Sequence, residues 1–436
     1  MSGMEGSNYR LRQSQRRWLR RSPAMAAFLL NVGAAGASFV STTVLARTAG
    51  AAVLGNYAFA MTTASVLTVL ALLGLDRIAI RTVAGDLREG LQHKARGTLL
   101  RMRGFVQKTA VGLALIYAIV ILLLPIGTRL DASRSTMLAA AIGVCVVPVL
   151  RVGLGGLRTA GFPVRAQALE GFASYGFALI LLVFLAFGIT ATSAQAVLLF
   201  VGLQAVAAVV VWRAMDRTMG RWGPAVFDKD FRLWTVGVPL MLVTFVHISA
   251  DWILLSFISA HGDAGTMGIY RVAAQIISLP MLAIATAETW YAPMFAGDFR
   301  AGRPDLAWQR QRRANRVVIA TTAPPLLFAV IFAEPLLGTV FGPEFVAAAP
   351  ALRIMAAGQM VNVMTGPVGG MLTMAGRERE LLGLAITGMV VLVLLGIFLV
   401  PAFGLAGAAM AWAVNSVIRC GGAWLLAHML IVRSPA

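Results

Sequence analysis

Charge is what this 436-residue chain has least of. Asp, Glu, Lys and Arg make up 13% of it, about half the share of an ordinary soluble domain. Cysteine is nearly absent too: Cys145 and Cys420 both sit in apolar runs with no partner spacing. That excludes a disulfide scaffold and a cysteine-ligated metal framework, and small core residues are the reading for both. The four histidines, His93, His247, His261 and His428, are scattered without metal-ligand spacing. There is no Gly-Lys-Thr phosphate loop and no paired-carboxylate motif in a polar loop, which argues against ATP-driven work and against a magnesium-dependent sugar-phosphate transferase. No polar stretch is long enough for a domain. What fills the chain instead is apolar sequence, 59% of all residues, in runs of the ~20 residues that a membrane helix needs. The runs are too long for the alternating ~10-residue strands of a membrane barrel. The class is an all-α polytopic membrane protein, with no cofactor expected.

Breaks between the runs predict twelve spans, near 25–46, 55–75, 106–127, 136–158, 166–188, 193–212, 234–258, 267–292, 317–340, 349–374, 381–401 and 404–427. Six arginines precede the first (Arg10, Arg12, Arg16, Arg17, Arg20 and Arg21). They resemble the basic region of a signal peptide, but the run that follows is long enough to span, so an uncleaved first helix is expected. Net charge is +19, and its placement matters more than its size. Eight basic residues fall in 76–108 and six in 296–316, alternate polar segments if the amino terminus is inside. Short cytoplasmic loops keep Lys and Arg, so both termini are expected in the cytoplasm and the charge reads as topology, not nucleic-acid binding. Segment 82–104 places Val83, Leu87, Leu91, Ala95 and Leu99 at four-residue spacing. It reads either as a basic amphipathic helix on the inner leaflet or as a helix packed on protein.

A repeat divides the chain. Leu54-Gly55-Asn56-Tyr57-Ala58-Phe59-Ala60 returns as Met267-Gly268-Ile269-Tyr270-Arg271-Val272-Ala273, and Leu157-Arg158-Thr159-Ala160-Gly161 as Leu372-Thr373-Met374-Ala375-Gly376. The expected organisation is a basic segment 1–24, a six-helix bundle 25–216, a linker 217–232, a second bundle 233–430 and a tail 431–436. Six spans per half relate the halves by an axis along the membrane normal, a plan typical of transporters with the substrate site between the halves.

Ionisable residues within spans are costly and therefore functional candidates. Asp251 lies deep in span seven with His247 one turn earlier on the same face, and Arg271 lies in span eight. Each is ten residues from His261, which puts both at one depth, as a structural ion pair or as a substrate or cation site. Glu288 and Arg419 lie toward the cytoplasmic ends of spans eight and twelve, and Arg353 one turn inside span ten, where it snorkels. Asn31, Gln204, Gln275, Gln359, Asn362 and Asn415 are polar positions suited to helix–helix hydrogen bonds. Pro239, Pro280 and Pro324-Pro325 predict bends in spans seven, eight and nine.

The second half resembles the polysaccharide-transport (oligosaccharide flippase) branch of the multidrug/oligosaccharidyl-lipid/polysaccharide (MOP) exporter superfamily. The elements run in order: Gly237-Val238-Pro239, Asp251, Gly268-Ile269-Tyr270-Arg271-Val272-Ala273-Ala274, Pro293, Phe341-Gly342-Pro343-Glu344-Phe345, Ala375-Gly376-Arg377, and Phe403-Gly404-Leu405-Ala406-Gly407-Ala408-Ala409. Leu45-Ala46-Arg47, Gly55-Asn56-Tyr57 and Gly74-Leu75-Asp76-Arg77 fit the same pattern in the first half. The resemblance implies twelve helices in two six-helix bundles around a central cavity, the MATE-like fold. It also implies a flippase that moves polyprenyl-pyrophosphate-linked oligosaccharide across the bacterial inner membrane. In that reading Arg271, Arg419, Asn31 and Asn362 face substrate, Asp251 and Glu288 couple a proton or sodium ion, and membrane lipids, a glycan polymerase and a chain-length regulator are partners. A multidrug/cation antiporter of the same fold is the alternative; a membrane-embedded glycan polymerase or ligase would carry a long periplasmic loop, which this chain lacks.

Overall fold

A computed structural model describes residues 23–123, 131–227 and 233–429. The basic amino terminus with its six arginines, Arg129, residues 228–232 of the expected linker and the tail 431–436 lie outside them. The described residues form helices and no strand: α1 Pro23–Leu72, α2 Leu75–Arg88, α3 Gln92–Leu123, α4 Asp131–Thr159, α5 Pro163–Ala186, α6 Ser193–Met219, α7 Leu233–His261, α8 Ala264–Ser278, α9 Pro280–Arg300, α10 Pro304–Ile331, α11 Ala333–Val340, α12 Ala349–Thr365, α13 Val368–Met374, α14 Glu378–Ser416 and, after a π-helical turn Val417–Gly421, α15 Gly422–Ala427. Nine helical stretches among the described residues are long and apolar enough to cross a membrane. Leu123, Phe187 and Phe398 are more than 70% exposed, which only a lipid surround makes tolerable. This is a multi-pass membrane protein.

The first and last of these stretches are 48 and 50 residues long. A straight helix of that length would run over ~70 Å, more than twice the ~30 Å hydrocarbon core. Each is broken at one glycine in the left-handed region, Gly50 (φ 81°) and Gly404 (φ 54°). Past Gly404 the chain doubles back, because a Cβ on Gly407 would lie 2.0 Å from the Leu399 carbonyl oxygen. Past Gly50 it does the same, since Ser41 and Thr62 line one cavity from either side of the break. Counted as hairpins, and with α7 added, the helices are consistent with twelve spans. Residues 47–54, expected as a loop, are helical save for Gly50.

The structure turns the repeat into geometry. Gly161 (φ 91°) and Gly376 (φ 75°) end α4 and α13 in the same way. Phe162 N–H donates to the Leu157 carbonyl at 3.0 Å and Arg377 N–H to the Leu372 carbonyl at 3.0 Å, the 6→1 bond of a glycine-terminated helix. The other repeated pair meets face to face. A Cβ on Gly55 would stand 1.9 Å from the Ala264 carbonyl oxygen, and a Cβ on Gly268 would stand 2.0 Å from that of Ala51. Ala51-x-x-x-Gly55 and Ala264-x-x-x-Gly268 are thus equivalent small-residue stripes whose bare backbones cross. Arg47 donates to the carbonyls of Val340 (Nε, 2.8 Å) and Thr339 beside this crossing, and the Ala51 N–H donates to Glu344 at 3.0 Å. The Gly50 end is therefore closed between the halves. Toward the opposite, arginine-rich face, Gly237 of α7 lies against the Leu73 carbonyl, 2.5 Å from where a Cβ would be.

The largest apolar cluster joins Leu45 and Leu54 of α1 to Tyr270, Phe345 and Leu352 of the second half. Segment 82–104 is not one helix: it is broken at Gly90 (φ 76°). Val83, Ala95 and Leu99 are fully buried with Trp212, Met215 and Leu154, so packing on protein, not a leaflet, covers its apolar face. Of the expected proline bends, Pro280 coincides with a helix boundary, whereas α10 continues through Pro324 and Pro325, as membrane-spanning helices permit.

Candidate functional site

The site is built where α7 turns into α8. Asp263 caps α8, accepting the Thr266 N–H and hydroxyl at 2.7 Å each; these bonds hold its carboxyl below the usual carboxylate range. That cap fixes where α8 starts, and two turns on Arg271 reaches the cavity wall. One of its nitrogens donates to Gln275 Oε1 at 3.2 Å. From the far end of the chain, Arg419 sits within the π-helical turn, a distortion that recurs at functional positions, and lies 3.1 Å from His247 Nε2. Asp251, one turn from His247 on α7, is partly buried and feels the charges of both Arg271 and Arg419. No direct ion pair joins Asp251 to either arginine among the described residues. Two guanidinium groups, one imidazole and the Asp251 carboxylate thus share one region, with Glu288 near its Arg419 end, and the guanidinium forks suit an anionic guest.

Farther along the same half, Asn362 donates to Met281 Sδ at 3.0 Å and to Gln359 Oε1 at 3.4 Å, and accepts from the Cys420 thiol at 3.2 Å. Glu288 accepts the Gly370 N–H at 3.2 Å, an approach that the missing side chain of Gly370 allows. Asn31 is exposed, in a cleft of about 430 Å³ with Gln167, Glu170 and Ser174, where Glu170 pairs with Arg158; Ser174 also lines the cavity that Arg271 reaches. Arg353 bonds Glu334 at 3.1 Å. Among the described residues no three His, Cys, Asp or Glu groups converge as a metal site.

Beside Arg271 lies a partly open cavity of about 200 Å³ between α1, α5, α6 and α8. Its wall carries the hydroxyls of Ser41, Thr42, Thr62 and Ser65 and the rings of Tyr57 and Phe177, which stack at 5.8 Å. Sequence reasoning missed this wall, and also the partnership of Arg419 with His247. The repeat held the signal for the wall: 213 residues before Asp251, Arg271 and Gln275 stand Ser38, Ala58 and Thr62, all three on the cavity wall.

No family model matches the chain. It is 29% identical over 240 residues to the teichuronic acid biosynthesis protein TuaB of Bacillus subtilis, a match that covers 52% of this chain and 47% of that protein. The chain thus spans about half the length of the curated relative it matches. The lipid II flippase MurJ in an inward closed conformation superposes with a TM-score of 0.70 at 11% identity, covering 93% of this chain and 87% of that one. An inward-facing multidrug resistance MATE family transporter of the MOP superfamily superposes at 0.69 and 14% identity, covering 92% and 95%. The fold is that of the MOP superfamily. The resemblance read from the sequence is thereby borne out, and with it the all-helical MOP architecture. An outward-facing MATE family transporter of the MOP superfamily superposes with a TM-score of 0.62 at 17% identity, covering 95% of this chain and 98% of that one.

Proposed function

We propose that this chain is a transporter of polysaccharide precursors. More specifically, it is a flippase that moves a polyprenyl-pyrophosphate-linked oligosaccharide across the bacterial inner membrane by alternating access. The observation that carries the reading is the cationic cluster of Arg271 and Arg419 with His247 inside the spanning region, one member of which lines a cavity. A pyrophosphate suits guanidinium forks in a site of low dielectric, and the polyprenyl tail stays in lipid while the head crosses. The halves 25–216 and 233–430 rock about the Gly50-end crossing, Asp251 and Glu288 couple a proton or sodium ion, and Asn31 and Asn362 contact substrate. Both termini are cytoplasmic, and a glycan polymerase and a chain-length regulator receive the product. The names of two similar proteins, one in teichuronic acid biosynthesis and one a lipid II flippase, support the substrate class.

Transport of cations or drugs is the second reading, favoured by the equally good superposition on a multidrug transporter; the paired arginines oppose it, because they repel a cationic guest. Reconstitution separates the two. Vesicles holding the purified protein and a labelled polyprenyl-pyrophosphoryl glycan should lose label from one leaflet without ATP. Movement of ethidium but not of glycolipid would overturn the flippase reading.

A further inference from the structure

The hydroxyl-walled cavity has a polarity of its own. Ser41 donates to the Ala37 carbonyl (2.9 Å), Thr42 to Ser38 (3.0 Å), Thr62 to Ala58 (2.9 Å) and Ser65 to Met61 (2.8 Å). Each of these four hydroxyls directs its one proton to its own helix and offers a guest its lone pairs, while Ser38, Ser174 and the Tyr57 phenol on the same wall keep protons to donate. Among the described residues that line the cavity there is no carboxylate, and the one full charge is Arg271. Aromatic rings complete the lining, with Phe177 stacked on Tyr57 and meeting Phe200 edge-on. A guest that satisfies all three features has several hydroxyl donors, an apolar C–H face and an anionic group at one end. Water supplies donors without the apolar face; an organic cation fits the rings and lone pairs but meets Arg271.

We propose that this cavity seats the neutral sugar joined directly to the pyrophosphate, with Arg271 on the phosphate and the α1 hydroxyls accepting from the ring hydroxyls. The proposal rests on the flippase reading and names the part of the substrate that the first half of the chain recognises. It also accounts for the divergence of the repeat, in which Asp251, Arg271 and Gln275 of the second half answer to Ser38, Ala58 and Thr62 of the first. The charged wall holds the pyrophosphate and the hydroxyl wall reads the sugar. At about 200 Å³ the space is below the range of drug-sized pockets, so it takes one sugar ring and the rest of the oligosaccharide lies outside.

The test uses the full chain in nanodiscs and four kinds of probe: farnesyl pyrophosphate; the same lipid carrying glucose, galactose or N-acetylglucosamine; the three free sugars; and N-acetylglucosamine 1-phosphate. At least one glycosylated lipid should bind about tenfold more tightly than bare farnesyl pyrophosphate, the worth of two modest hydrogen bonds. Ser41→Ala with Thr62→Val should abolish that gain and leave farnesyl pyrophosphate within about twofold of the wild type. Ser41→Thr with Thr62→Ser, which keeps both hydroxyls, should retain it, and Arg271→Gln should weaken every phosphate-bearing probe. Matching thermal midpoints certify that the variants fold. Pyrophosphate binding without a sugar gain, or a gain that survives loss of the hydroxyls, overturns this inference alone. N-acetylglucosamine 1-phosphate binding as tightly as the lipid-linked probe assigns the seat to a soluble sugar phosphate and overturns it too. Failure of every phosphate-bearing probe to bind the wild type overturns the flippase reading with it.

Discussion

Gly55→Ala should populate an open form of the Gly50 end. The added Cβ would lie 1.9 Å from the Ala264 carbonyl oxygen, whereas a C–H···O contact needs about 3.3 Å; the two helices must part by about 1.4 Å. The obstructing atom is backbone, so no side chain can rotate away. Overpacking of this kind costs about 1–3 kcal/mol. The penalty falls on the closed form alone, because the open form separates the two stripes. At about 2 kcal/mol the closed-to-open ratio falls about thirtyfold, which turns roughly 99:1 into roughly 3:1. Gly268→Ala, facing the Ala51 carbonyl at 2.0 Å, should do the same by symmetry. The double variant should add little, since one opening relieves both clashes. Spin labels at Ala52→Cys and Thr339→Cys, with Cys145→Ala and Cys420→Ala, report the gap by electron–electron distance measurement. Both residues are exposed and flank the crossing. Absence of an open fraction of about a quarter in both glycine variants would refute the argument, and so would a large effect in one with none in the other.

Four further outcomes follow from the same geometry. Glu344→Ala removes the acceptor of the Ala51 N–H and should cost the closed form about 1 kcal/mol, seen as a smaller shift in the same spin-label distances. Asp251→Asn or Arg271→Gln alone should lower glycan export, and the double variant should not regain it; full export by Arg271→Gln at normal abundance would end the cavity reading. Asp263 has its folded-state pKa below the ordinary carboxylate value, so its stabilisation is present above that value and fades as pH falls through it. Asp263→Ala should therefore cost about 1 kcal/mol near neutrality, and the gap in thermal midpoint should narrow in acid. Reporter fusions after residues 130, 190, 262, 344 and 402 should all read as periplasmic, and a cytoplasmic report at 262 would undo the orientation.

The sequence made legible what depends on local composition. Apolar runs located the spans because lipid demands them, and glycine marked helix ends such as Gly161 and Gly376 because a left-handed φ suits little else. What it obscured depends on distant partners. Residues 47–54 looked like a loop because they contain an arginine and a glycine, yet they stay helical around Gly50 because carbonyls of Thr339 and Val340 take the charge of Arg47 and Glu344 takes the Ala51 N–H. Depth along a helix gave the common level of Asp251 and Arg271, but not rotation. Rotation decides that Arg419, remote in sequence, meets His247. Serines and threonines of α1 carried no signal alone, since a hydroxyl within a spanning helix can always bond its own backbone. They became informative only when the cavity they share was visible.

The crossing of α1 with α8 and the walls beside it treat the repeat in opposite ways. At the crossing the halves have stayed alike, Ala51 and Gly55 answering Ala264 and Gly268, because an interface about a two-fold axis works only if both surfaces keep their small residues. One or two turns deeper they have diverged, with charge kept to the second half and hydroxyls to the first. A guest that needs both walls bridges the halves and stabilises the arrangement in which the walls face each other across the cavity. By linkage, closing the Gly50 end must then favour binding by the same factor. A substrate recognised by one half alone would ride with that half and leave the closure indifferent to its presence. Division of recognition between the halves is thus what lets occupancy bias the gate, and a gate opened by Gly55→Ala should release the glycosylated probe more readily than bare farnesyl pyrophosphate.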